Sequence, residues 1–140
     1  MERKFTILIA DRNRRVRQFL MREFTAEGYG VLLAEDKEAL LRIVQRDDTL
    51  DLLILDDELL VPEESRIVEL LRNRIPHIPL IVHTFSTECV EQGLAREATA
   101  LVEKKGNIGG LKDSVDRVLH SEYPCRFDPC RADAGIDTSH

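Results

Sequence analysis

Three acids, Asp56, Asp57 and Glu58, follow directly on four apolar residues, Leu52 to Leu55. Four residues are too few for a buried helix, and Asp51 closes the other side of the run; it reads as a short strand covered on both faces. Its carboxylates then lie at the C-terminal end of the strand, the edge along which open α/β sheets bind ligands. Asp56 is the candidate reacting group. A carboxylate in that position can accept a phosphoryl group as a mixed anhydride.

Other apolar runs end in the same manner. Phe5 to Ala10 runs into Asp11, Ile78 to His83 ends at Thr84, and Thr99 to Glu103 is followed by Lys104. If all are parallel strands of one sheet, the four residues converge on one edge. There a lysine and a hydroxyl can hold phosphoryl oxygens. A hard divalent cation on oxygen ligands would offset the charge of carboxylate and phosphate.

The elements that must position these residues follow from periodicity. Val16, Phe19, Leu20 and Phe24 recur at helical spacing between Asn13 and Glu27, with Gly28 placed to end the helix. Tyr29 to Ala34 is a second short strand, and Asp36 can cap a helix whose stripe is Leu40, Ile43 and Val44. Ile67, Leu70 and Leu71 mark a helix over 63–74, and Ser86 can cap a weak helix running to about Glu97. Asn107 can cap the last helix, with Leu111, Val115, Val118 and Leu119 as its stripe. Five strands alternating with five helices predict an α/β fold, a doubly wound parallel sheet with helices on both faces.

The 140 residues suit one domain, here 1–121, and their 43% hydrophobic and 33% charged content is that of an ordinary globular protein. Residues 122–140 lack apolar periodicity and read as a flexible C-terminal tail. A net charge of −6 argues against nucleic acid as a partner. The run Arg12, Arg14, Arg15 and Arg17 reads as a solvated or docking face, with Arg12 at the pocket edge. Asp57 and Glu58 read as a solvated rim, and His83 as a buried histidine with satisfied nitrogens. Cys89, Cys125 and Cys130 form no metal or redox motif, no run is long enough for a membrane span, and a cytoplasmic location is expected.

With these residues in place, the chain resembles a receiver domain of the response-regulator family, of the single-domain, chemotaxis-regulator type, over residues 4 to about 120. The resemblance rests on Asp51-Leu-Leu-Ile-Leu-Asp56, Pro79-Leu-Ile-Val-His-Thr84 and Ala100-Leu-Val-Glu-Lys104, in order and at family spacing. It implies a flavodoxin-like sheet of strand order 2-1-3-4-5. It also implies phosphoryl transfer to Asp56 from a histidine kinase or phosphotransfer protein, with Lys104 on the acceptor or phosphate and Thr84 as the switching hydroxyl. Mg²⁺ would be held by Asp11, Asp56 and the backbone carbonyl of Glu58. The output would be contact with a downstream protein; the chain is not expected to be an enzyme.

Departures from the family pattern cluster at the pocket. The second acid after the first strand is replaced by Arg12, and the small residue expected after Thr84 is Phe85. Leu101 stands where an aromatic is usual, and Lys105 where a proline follows the lysine. These departures predict weak Mg²⁺ binding. They also support an alternative, a degenerate receiver in which Arg12 lies against Asp56 and partners bind independently of phosphorylation. A third reading, an aspartyl-phosphate hydrolase, lacks a second domain to enclose a substrate.

Overall fold

A computed structural model describes residues 5–127. Five strands, β1 (Thr6–Ala10), β2 (Gly30–Ala34), β3 (Leu52–Leu55), β4 (Leu80–Thr84) and β5 (Ala100–Glu103), alternate with five helices. The helices are α1 (Arg14–Ala26), α2 (Lys37–Arg46), α3 (Glu64–Asn73), α4 (Gln92–Glu97) and α5 (Gly109–Glu122). The sheet order is β2-β1-β3-β4-β5 and every pairing is parallel. This is the flavodoxin-like arrangement that the resemblance implies.

Alternation along each strand divides the core in two. Leu8, Ala10, Leu53, Leu55, Leu80 and Val82 face α2, α3 and α4, where Leu40, Val44, Ile67, Leu71 and Leu94 close the layer. Ile7, Ile9, Leu52, Ile54 and Ile81 face α1 and α5, meeting Leu20, Phe24, Leu111, Val115 and Leu119. Burying one such side chain is worth about 1.5–3 kcal/mol relative to leaving it exposed. With apolar contacts on both faces, β1, β3 and β4 cannot shift register without pulling several of these residues out of the core.

Most helix ends follow the local signals. Asn13 Oδ1 accepts from the backbone N–H of Arg15 (2.9 Å) and Val16 (3.2 Å), and Asp36 Oδ1 from that of Ala39 (2.8 Å). Gly28 takes φ +96° after α1, a left-handed conformation that a Cβ would strain. Asn107 Oδ1 accepts from Gly109 N–H at 2.6 Å, so it supports the first residue of α5 from one position before the flanking residue Ile108.

Two expectations need correction. Ser86 does not cap a helix; its backbone N–H bonds back to Thr84 Oγ1, Thr87–Cys89 make a 3₁₀ turn, and α4 is only six residues long. Its cap is Glu91, whose carboxylate accepts from Gly93 and Leu94 N–H. The boundary at 121 also fails: α5 continues to Glu122, Pro124–Arg126 form a 3₁₀ turn, and this segment packs on the foot of the sheet. Tyr123 OH donates to Asp51 O at 2.7 Å, and the Phe127 ring stacks on Phe5 at 5.2 Å. No apolar period announces this docking because polar and aromatic contacts make it. The rest of the expected tail, 128–140 with Cys130, lies outside the described residues.

Candidate functional site

The sheet ladder runs one step beyond the strands and so fixes the edge. Asp56 N–H donates to Ala10 O (2.8 Å), Asp11 N–H to Ala34 O (3.2 Å) and Lys104 N–H to Thr84 O (2.6 Å). Asp11, Asp56, Thr84 and Lys104 are thereby brought to one edge, as the strand ends predict. Asp11 and Asp56 are buried, and Lys104 reaches them from β5 with little exposure of its own.

Lys104 Nζ lies 3.1 Å from Asp11 Oδ2 and 3.3 Å from Asp56 Oδ1. At that separation and an effective dielectric near 20, each pair is worth about 5 kcal/mol before desolvation is subtracted. Burial raises the Asp11 pKa above the ordinary carboxylate value; the N–H of Asn13, 2.8 Å from Oδ1, works against that rise, the charge of Asp56 adds to it and Lys104 opposes it. Asp56 Oδ1 also accepts from Glu58 N–H at 3.2 Å, and Oδ2 faces Arg12 N–H at 3.4 Å.

The Arg12 side chain turns to the pocket, as its position at the edge predicts. Its Nε is 3.5 Å from Asp56 Oδ2, and the outer end of the guanidinium pairs with the Glu58 carboxylate while half the side chain stays exposed. Phe85 is 64% exposed and its ring centroid lies 4.7 Å from Lys104 Nζ, so an aromatic covers the ammonium from outside. The buried Thr84 hydroxyl is held within its own turn, 3.2 Å from both Ser86 N and Ser86 O.

Three side chains differ from expectation. Asp57 is half-buried, with one oxygen shut in without a hydrogen-bond partner; burial raises its pKa against the pull of the Thr84 hydroxyl. Arg17 is not part of a solvated face: it donates to Asp11 O at 2.7 Å and supports the pocket from behind. An arginine six positions after a strand-end acid is the signal that could have found it. His83 Nδ1 is buried with no partner, and burial, helped by Lys104, lowers its pKa to about 4.

Among the described residues, no three metal-ligating side chains gather at one point. At this edge the carboxylates of Asp11, Asp56 and Glu58 already face two fixed cations, Lys104 and Arg12. The arrangement presents one buried carboxylate, Asp56, with a cation beside each of its oxygens, a geometry suited to a nucleophile.

A sequence-family model of the response regulator receiver domain matches residues 7–116. The chain belongs to this family. Receiver domains are signalling modules, and they interact with histidine kinases or phosphotransfer proteins. Among solved structures, the receiver is similar to the response regulator TrrA from Thermotoga maritima, crystallised with Mg²⁺-BeF. The two are 26% identical with a TM-score of 0.71, over 81% of this chain and 97% of that one. It shares its fold with the N-terminal domain of a response regulator/sensory box/GGDEF protein from Carboxydothermus hydrogenoformans, at 23% identity, TM-score 0.71 and coverage of 84% and 95%. The same holds for the non-phosphorylated HemR receiver domain from Leptospira biflexa, at 18%, 0.71, 83% and 94%. A search of curated proteins found no match.

Proposed function

We propose that this receiver works as a stand-alone cytoplasmic relay, taking a phosphoryl group onto Asp56 from a phosphohistidine of a kinase or phosphotransfer protein and signalling by protein contact. The observation that carries this reading is Lys104 Nζ, held between Asp11 and Asp56 at 3.1 and 3.3 Å. A carboxylate oxygen of Asp56 attacks phosphorus, and the N–P bond of the donor breaks with its electron pair leaving on the imidazole. Lys104 stabilises charge on the phosphoryl oxygens. The Thr84 hydroxyl then exchanges Ser86 O for a phosphoryl oxygen, which moves the turn leading into α4.

TrrA was crystallised with Mg²⁺, and an equivalent ion here would take Asp11, Asp56 and the Glu58 carbonyl. These residues do not fit one well. The Arg12 guanidinium sits on Asp56 Oδ2, and a guanidinium cannot lose its proton to make way for a cation.

Net charge −6 supports a protein rather than nucleic acid as the downstream target. Among the described residues, no helix is long and apolar enough to cross a membrane. Incubation with a phosphorylated phosphotransfer protein tests the reading by intact mass. One phosphoryl group is expected on the wild type and none on Asp56→Asn; label retained in that variant would refute it.

The contact between Arg12 and Asp56 favours a second reading, a degenerate receiver whose partners ignore phosphorylation. It predicts a wild type that stays unlabelled with every donor.

A further inference from the structure

We infer that Arg12 is the resident cation of the pocket, and that with Lys104 it lets a phosphoryl group reach Asp56 without a divalent ion. The inference rests on the reading of Asp56 as phosphoryl acceptor. Each oxygen of that carboxylate has its own cation. Lys104 Nζ is 3.3 Å from Oδ1, and Arg12 Nε is 3.5 Å from Oδ2, with the Arg12 N–H at 3.4 Å from the same oxygen. Arg12 lies two residues past the end of β1, in the short connection to α1, and the N–H directed at Asp56 ties its backbone to the pocket, so the guanidinium starts from a fixed base.

The two cations differ in what they can do. Lys104 is enclosed, with Asp11 on one side and Asp56 on the other. Arg12 is half exposed and reaches solvent where a donor must approach, its outer end held by Glu58. A planar guanidinium presents several N–H groups that match two oxygens of a phosphoryl group at once. Catalysis of phosphoryl transfer consists mainly of positioning and of stabilising charge on the equatorial oxygens, and a fixed arginine supplies both.

With an acyl phosphate as donor, an Asp56 oxygen attacks phosphorus and an O–P bond forms. The bond from phosphorus to the acyl oxygen breaks, the carboxylate leaves with its electron pair, and no proton moves. The guanidinium passes from the Glu58 carboxylate to the incoming phosphoryl oxygens, and Glu58 is released to solvent. Glu58 therefore acts as the resting partner of Arg12, occupying its donors until phosphate arrives.

Acetyl phosphate labelling of the full chain, followed over time by intact mass in excess EDTA and separately in Mg²⁺, tests the inference. Wild type is expected to label in EDTA, with Mg²⁺ changing the rate little. Arg12→Ala should label in EDTA about a hundredfold more slowly, the loss typical of deleting one donor to developing oxyanion charge. Arg12→Asp, which puts back an acid, should label only when Mg²⁺ is present. Wild type that labels only with Mg²⁺, or Arg12→Ala that matches wild type in EDTA, overturns the inference and leaves Asp56 as acceptor. A folded wild type that labels in neither medium overturns the inference and the acceptor reading together.

Discussion

Arg126 Nη1 lies 2.7 Å from Asp51 Oδ1, at the foot of β3 and so at the opposite end of that strand from Asp56. Asp51 Oδ2 accepts from Thr6 N–H at 2.8 Å, so one carboxylate joins the segment after α5 to the start of β1. The Arg126 guanidinium also lies 3.8 Å from the centre of the Phe5 ring. Ending the chain at Glu122 removes these contacts together with the Tyr123 hydroxyl bond. The expected cost is about 1–2 kcal/mol, or a fall of roughly 5 °C in Tm. An unchanged melting temperature would show that the segment contributes nothing.

Replacing Lys104 by Met leaves two buried carboxylates, Asp11 and Asp56, without the cation they share. Breaking such a pair costs about 3 kcal/mol or more at neutral pH. The sign of the pH dependence follows from Asp11, whose folded pKa is already raised by burial and rises further without Lys104. Between the unfolded and folded values the folded state binds more protons, so the variant loses stability as pH rises through that window and recovers it on acidification. Urea unfolding at neutral pH and near pH 4 checks this; a deficit that does not shrink in acid would contradict it.

His83 gives a dependence of the opposite sign. Its folded pKa is lowered to about 4 from 6.5, so the unfolded chain takes up the proton first as pH falls. Stability from the neutral imidazole is therefore complete above about pH 6.5 and is lost as pH falls towards 4, a loss on the order of 3 kcal/mol. In His83→Leu this component is absent, and no buried Nδ1 remains unpartnered. The stability of the variant relative to wild type should rise steadily from neutral pH to about pH 5. Parallel unfolding curves at every pH would refute the assignment.

Phe85 shields Lys104 but is itself mostly exposed. Truncation to Ala should cost less than about 1 kcal/mol, the size of an exposed cation–π contact. If the ring also narrows the approach to Asp56, Phe85→Ala should label with acetyl phosphate several-fold faster in the same medium. Equal labelling rates would show that the ring leaves the approach open.

The sequence by itself determined the scaffold of this receiver and the edge on which Asp11, Asp56, Thr84 and Lys104 converge. Apolar runs ending at Asp11, Asp56 and Thr84, separated by helical stripes, are local patterns that burial on both faces of a parallel sheet requires, and the shorter run before Lys104 makes the half-exposed edge strand. Arg12 was legible as a pocket residue for the same reason: it adjoins Asp11, the acid at the end of β1.

Tertiary structure decided which cation faces which oxygen. Arg12 and Glu58 are 46 positions apart, and Arg126 and Asp51 are 75 apart; no window of periodicity spans such pairs. Their pairing depends on the direction a side chain leaves an element already packed, which local pattern does not encode. The unpartnered Nδ1 of His83 was hidden likewise. Apolar burial selects the fold through periodicities short enough to read along the chain, whereas long-range polar pairs exist only after that packing has brought their partners together.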